Sequence, residues 1–165
     1  MRGTSPIGLI SDTHGLLRPE AVKALEGCGL IIHAGDVGKP EILEHLRAIA
    51  PVVAVRGNID KGEWASRLPL TAVVEAGPAR IYVLHDIHHL DLAPAAAGFR
   101  MVVSGHLHKA LREERGGVLY VNPGSAGPRR FRLPVTLARL DLRRAPWEVA
   151  FIDLAERVAD QPRPA

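Results

Sequence analysis

The stretch Pro6-Ile7-Gly8-Leu9-Ile10-Ser11-Asp12-Thr13-His14 is an apolar run of strand length that ends on a carboxylate and an imidazole two residues apart. It opens an alternating series. A helix is expected over 19–27, with Pro19 in its first turn and Gly27 near its end. A second strand follows over 29–33, from the continuous apolar Leu30-Ile31-Ile32. Residues 40–50 place Ile42, Leu43, Leu46 and Ile49 on one helical stripe, and the β-branched 52–55 reads as a third strand. Strand, helix, strand, helix, strand predicts a parallel sheet with right-handed crossovers.

After residue 68 the pattern becomes strand-rich. Segments 71–75, 81–84, 101–104, 118–121, 136–140 and 149–154 read as strands, with one short helix around 91–97. Two packed sheets in a layered α/β sandwich are therefore expected. They form a single domain over 1–165, with a tail from about 155 to 165 that frays.

The placement of polar residues carries the functional signal. Five apolar runs each end just before a candidate metal ligand. The first delivers Asp12 and His14, and the second Gly35-Asp36. The third, through Arg56, delivers Gly57-Asn58. The run at 81–84 delivers His85, and that at 101–104 delivers Gly105-His106-Leu107-His108. In open α/β sheets ligands bind beyond the carboxyl ends of the strands, so these side chains are expected to converge on one edge. Asp12, His14, Asp36, Asn58, His85, His106 and His108 suffice for two adjacent ions, with Asp36 able to bridge them. Mixed nitrogen and oxygen donors without thiolate suit Mn²⁺, Fe, Ni²⁺, Co²⁺ or Zn²⁺ better than Ca²⁺ or Cu(I), and Mn²⁺ is the expected ion. Two such ions roughly 3.5–4 Å apart activate water and steady the entering and leaving oxygens at phosphorus.

Composition narrows the field. The chain has 165 residues and eight histidines but one cysteine, Cys28, which excludes an internal disulfide framework and any cysteine-based zinc knuckle or iron–sulfur site. Aromatics at 4% leave little for a single-strand stacking platform. The net charge of +3 is carried mostly by arginine, densest at Arg129, Arg130 and Arg132, a cluster that could help hold a phosphate, with a solvated basic surface as the default reading. The apolar run near the start is too short for a signal peptide, and none approaches the ~20 residues of a membrane span. A cytoplasmic protein with no membrane association is expected.

In this order the motifs Asp-x-His, Gly-Asp, Gly-Asn, His and Gly-His-x-His resemble those of the calcineurin-like metallophosphoesterase superfamily. The short length, Gly57-Asn58-Ile59-Asp60 and Asn122-Pro123-Gly124-Ser125 are similar to the small YfcE-type phosphodiesterase branch. The resemblance covers roughly residues 6–155. It implies a four-layer α/β/β/α sandwich with a dinuclear centre. One ion would take Asp12, His14, Asp36 and His108, and the other Asp36, Asn58, His85 and His106. The implied activity is a metal-dependent phosphoesterase that hydrolyses phosphodiester bonds. A metal-bridging hydroxide held through Asp36 would attack, with no protein general acid.

Two departures from the superfamily pattern matter. Larger members carry a histidine after Gly-Asn, where this chain has Ile59, so esters with good leaving groups are expected substrates. The usual His-Gly-His is here His85-Asp86-Ile87. Asp86 either orients a ligand from behind or caps its own loop. His88 and His89 read as loop residues lining the cleft, and either is a candidate for the missing imidazole's role.

Arg56 and Asp60 flank Asn58 and are candidates for orienting it or contacting phosphate, with a surface ion pair as the alternative. Arg56, Asp60, Asp86, His88 and Asn122 make up the set that could support the ligands or touch substrate. His33 reads as a structural histidine, His45 as exposed, Cys28 as an inert buried residue, and Trp64 and Trp147 as packing. The expected partner is a small phosphodiester, with a homo-oligomer compatible and nucleic acid not favoured. The alternatives are a small nuclease and a scaffold on the same fold, like the retromer subunit with its degraded metal site.

Overall fold

The computed structural model describes residues 5–155. In chain order its elements are β1 (Ile7–Ile10), α1 (Pro19–Ala24), β2 (Leu30–His33), α2 (Pro40–Arg47) and β3 (Val52–Ala54). There follow α3 (Glu63–Ser66), β4 (Thr71–Ala76), β5 (Ala79–Leu84) and a 3₁₀ turn at Ile87–His89. The chain continues through β6 (Met101–Val103), β7 (Ala110–Arg115), β8 (Val118–Pro123), β9 (Thr136–Asp141) and β10 (Glu148–Asp153).

These strands form two mixed five-stranded sheets, ordered β10-β9-β1-β2-β3 and β4-β5-β6-β8-β7. In the first, β1, β2 and β3 run parallel, as the alternating β and α pattern requires, while β9 and β10 are antiparallel. The strand-rich half thus does not all go to the second sheet. Its last hairpin returns to cover β1, which would otherwise leave a row of backbone groups unpaired at an edge.

Period-two alternation assigns each face. Ile7 and Leu9 of β1 point between the sheets and meet Ile81, Val83, Met101, Leu119 and Leu140. Ile10 and Ile31 point the other way and pack against Leu25, Ile42, Leu43 and Leu46 of the helical side. Fully burying a side chain of this size stabilises by roughly 1.5–3 kcal/mol. Helices α1 and α2 begin with Pro at the first turn after an extended residue, where a missing N–H costs nothing. A third apolar cluster, with Tyr82, Leu84, Phe99 and Val102, lies on the outer face of the second sheet beneath the 3₁₀ turn.

The helix expected around 91–97 is not formed; residues 94–98 make overlapping turns instead, with Ala97 N–H donating to the Ala93 carbonyl and Phe99 N–H to that of Pro94. Pro94 disfavours helical backbone at Ala93, and Gly98 ends the stretch too soon to repay nucleation. Unforeseen were α3 and the edge strand β7, whose charged Arg-Glu-Glu-Arg run lacks an apolar alternation. The fraying expected of the tail falls, beyond residue 155, outside the described residues.

Candidate metal centre

All seven candidate donors stand at the carboxyl ends of β1, β2, β3, β5 and β6 or in the loops just beyond. The backbone there is unusual. Among the described residues six non-glycine positions have positive φ, and five of them are Asp12, His14, Asp36, His106 and His108. Left-handed backbone costs energy for an L residue, so its concentration here marks loops shaped to aim side chains. Two glycines permit the close approach. A Cβ on Gly57 would collide with the Asp36 carboxylate, and one on Gly105 with the Ser11 hydroxyl.

Each carboxylate is anchored by one oxygen and presents the other. Asp12 Oδ2 accepts from Ser11 Oγ–H at 2.6 Å and from His106 N–H at 3.1 Å. Its Oδ1 is buried with no hydrogen-bond donor, 3.2 Å from His108 Nε2, 3.7 Å from His14 Nε2 and 4.0 Å from His85 Nε2. Asp36 Oδ1 accepts from Ile59 N–H at 3.0 Å. Its Oδ2 lies 3.3 Å from His85 Nε2 and 3.6 Å from His14 Nε2. The donors thus form two groups, Asp12 with His14 and His108, and Asp36 with His85 and His106, each with its ligand atoms within 4.8 Å. Asp36 Oδ2 faces an imidazole of both groups, the place from which a carboxylate bridges two ions.

His85 tests whether cations fit. Its Nδ1 is 2.7 Å from the Ala34 carbonyl, which only accepts, so Nδ1 carries the proton. In the neutral ring Nε2 is then a lone pair, yet it faces Asn58 Oδ1 at 3.0 Å and Asp36 Oδ2 at 3.3 Å. With the Asn58 oxygen facing inward, a positive charge, either a proton on Nε2 or a metal ion, would stabilise these three acceptors together. The buried Oδ1 of Asp12 and Nε2 of His14, both without partners, pose the same demand on the other side. The residues present fit two divalent cations.

The electrostatics agree. Burial pushes the Asp12 carboxyl up, but the facing His108 and His14 imidazoles and the Ser11 hydroxyl outweigh it and hold it well below the usual range. Burial likewise opposes ionisation of Asp36, and the His85 imidazole and Ile59 N–H lower it. Burial acts to lower the His85 pKa, while Asp36 and Asp12 raise it above the ordinary value.

The supporting residues take roles that sequence left open. Asn122 is buried; its Nδ2–H donates to the Gly105 carbonyl and its Oδ1 accepts Gly124 N–H, both at 2.9 Å. It holds the Gly105-His106 loop rather than touching the cleft. Asp60 is also buried and binds backbone N–H groups of two donor loops, and among the described residues it forms no ion pair with Arg56. Asp86 accepts His88 N–H at 3.0 Å and so caps the 3₁₀ turn, while its other oxygen lies 3.7 Å from His106 Nε2. His88 and His89 are exposed beside Asp86. His33 is fully buried; it accepts Gly35 N–H at Nδ1, so its Nε2–H donates to Thr13 Oγ1 at 3.0 Å. Cys28 is buried among the helical-side residues.

Of the arginine cluster that sequence offered either as a phosphate contact or, by default, as a basic surface, Arg130 reaches the cleft. Its Nη2 lies 3.5 Å from His14 Nδ1, and with Ile59, Leu107, Phe131 and Leu133 it lines a cleft of about 290 Å³ over the donors. The available signal was the Arg-Arg-Phe-Arg run just after the Asn122 turn. Among the described residues no helix is long and apolar enough to cross a membrane.

Comparison with known proteins agrees with this geometry. A calcineurin-like phosphoesterase superfamily domain matches residues 6–145. A protein of Methanothermobacter thermautotrophicus named "Probable metallophosphoesterase" is 33% identical over 156 residues, covering 87% of this chain and 90% of its own length. The phosphodiesterase YfcE of Escherichia coli K12 is 30% identical over 158 residues, covering 79% of this chain and 84% of its own. The solved structure of Chaetomium thermophilum Vps29 shares the fold at a TM-score of 0.73 and 21% identity, covering 90% of this chain and 96% of that one. With the match running through every loop that presents a donor, the chain belongs to the calcineurin-like phosphoesterase superfamily.

Proposed function

We propose that this protein hydrolyses phosphodiesters at a centre of two divalent cations. Asp12, His14, Asp36 and His108 would hold one, and Asp36, Asn58, His85 and His106 the other. When bound, such cations supply Lewis-acid polarisation of phosphoryl oxygens and activation of water at neutral pH. The observation that carries the reading is the pair of inward carboxylate oxygens, Asp12 Oδ1 and Asp36 Oδ2, set 3.2–4.0 Å from three imidazole Nε2 atoms.

The chain's own residues supply the rest. Arg130 at the cleft edge adds positive charge where a phosphate oxygen enters. Ile59 stands where a proton donor for the leaving group would be useful and cannot serve as one, so good leaving groups are favoured. The buried anchors Ser11, Asn122 and Asp60 keep the donor loops in place before substrate arrives, which limits reorganisation during reaction.

The Vps29 likeness favours a scaffold reading by fold alone, whereas the complete donor set favours an enzyme. The test is a matrix of metals and substrates on purified apo protein. It compares bis(p-nitrophenyl) phosphate, p-nitrophenyl phosphate and a 2′,3′-cyclic nucleotide, each with Mn²⁺, Ni²⁺, Co²⁺, Fe²⁺ and Zn²⁺. Metal-dependent turnover of the diester above the monoester supports the proposal. No hydrolysis with any ion, together with no metal retained after dialysis, would leave the scaffold.

A further inference from the structure

A second cavity, of about 510 Å³, opens beside the metal centre on the side away from Arg130. It shares Asn58, His85 and His106 with the donor set, and Asn58 and His106 also line the Arg130 cleft, so the two spaces adjoin at the centre. Its volume lies within the roughly 300–1,000 Å³ of small-molecule sites. Tyr82 and Leu84, both buried, form its floor on the outer face of β5, and Leu70 and Thr71 close it from the β4 side. Thr71 pairs with Leu84 across the two strands, which puts both on that face.

The roof comes from the segment in which this chain departs from the superfamily motif. Asp86 caps the 3₁₀ turn, Asp86, His89 and Asp91 border the cavity, and Ile87 packs behind them onto the cluster containing Tyr82 and Leu84. A Gly-His pair at 86 and 87 would offer neither the cap nor the apolar contact. Charges of both signs ring the opening, with Arg56 against Asp86 and Asp91. A rim of mixed sign over an apolar aromatic floor disfavours a charged substituent and suits a flat, neutral group with hydrogen-bonding edges.

We propose that this cavity receives a nucleoside-like arm of the diester, so that the substrate class is a nucleotide phosphodiester. This rests on the phosphodiesterase reading above. The test has two arms. In the first, thymidine 5′-(methyl phosphate) and dimethyl phosphate compete against bis(p-nitrophenyl) phosphate hydrolysis. The thymidine ester is expected to inhibit at least tenfold more tightly, and Thr71→Trp, which fills the cavity from the exposed edge strand, is expected to reduce that preference below twofold. In the second, saturation-transfer NMR with thymidine alone reads binding without any turnover. The thymine ring signals are expected to saturate with the wild-type protein and not with Thr71→Trp. Leu70→Trp at the cavity mouth repeats both arms if the first variant does not fold. Equal inhibition by the two esters, or thymine saturation that survives both variants, would overturn the proposal. Absence of diester hydrolysis with thymine saturation intact would instead overturn the phosphodiesterase reading and leave the cavity assignment standing.

Discussion

Asp60 accepts the backbone N–H of Gly57 at 2.9 Å through Oδ2, the oxygen that also takes Val37 N–H at 3.2 Å. Its Oδ1 takes Gly38 N–H at 2.9 Å. One buried carboxylate thus ties the loop after β2, which carries Asp36, to the loop after β3, which carries Asn58. Asp60→Ala strands backbone donors in a buried place, at roughly 1–3 kcal/mol for each left unsatisfied. The expected result is a loss of at least about 2 kcal/mol in urea unfolding, with Mn²⁺ affinity falling by tenfold or more in calorimetry. Unchanged metal affinity in a folded variant would show that the clamp does not position the donors.

The charge that Asp36 presents to both imidazole groups is separable from its hold on the Ile59 backbone. Asp36→Asn retains an oxygen for Ile59 N–H but loses the charge of the oxygen that faces His14 and His85. We expect the thermal midpoint of the metal-free variant to stay near that of the parent, with metal retained after dialysis reduced by at least one equivalent. Diester hydrolysis should fall at least 100-fold. His85→Ala is expected to give the same pattern, and normal turnover by either would remove the assignment.

Burial of His33 sets a pH dependence of stability. Its pKa is lowered from 6.5 to about 4, chiefly by desolvation, with Asp12 and Asp60 acting the other way. Between those values the unfolded chain carries the proton and the folded chain does not, so stability rises with pH across the window. Acidification from 6.5 to 4 should cost about 3 kcal/mol through this group. His85 has the opposite sign: its raised pKa contributes stability that is complete below 6.5 and lost as pH rises through the folded value. The two contributions therefore occupy different windows. Urea melts of the metal-free protein at intervals from pH 4 to 6.5 should show the slope, and His33→Gln should flatten it.

Arg130 approaches the donor set at His14 Nδ1, at 3.5 Å. If it receives phosphate, Arg130→Ala should raise KM for bis(p-nitrophenyl) phosphate about tenfold or more, the scale of one charge-assisted hydrogen bond of roughly 1.5–3 kcal/mol. Metal content should stay at the parent level. Loss of metal instead would make it a support for His14.

Much of the fold was legible because its strands are short, apolar and punctuated. The runs ending at Ser11, His33 and Val55 read as buried parallel strands, and the stripe Ile42-Leu43-Leu46 faces the core as its spacing requires. Two places misled. Residues 91–97 look helical by composition, but Pro94 and Gly98 leave too little chain between them. The strand β7 looks like a charged loop because, at a sheet edge, it is stabilised by backbone pairing to β8 rather than by burial.

Residue type and order alone determined the chemistry of the candidate donors: two carboxylates, four imidazoles and an amide, each just past an apolar run, with the single cysteine, Cys28, outside them. That much is local, because a strand ends where its apolar residues end and the next side chain must leave the core. Only the tertiary structure decided which oxygen of Asp12 and Asp36 faces inward, that Asp60 and Asn122 hold loops instead of substrate, and that Arg130 joins the cleft from 116 residues away in sequence to His14. It also decided that a second cavity stands beside the donors. These depend on how two sheets meet and on hydrogen bonds between distant loops, and such distances are not written in any one segment of the chain.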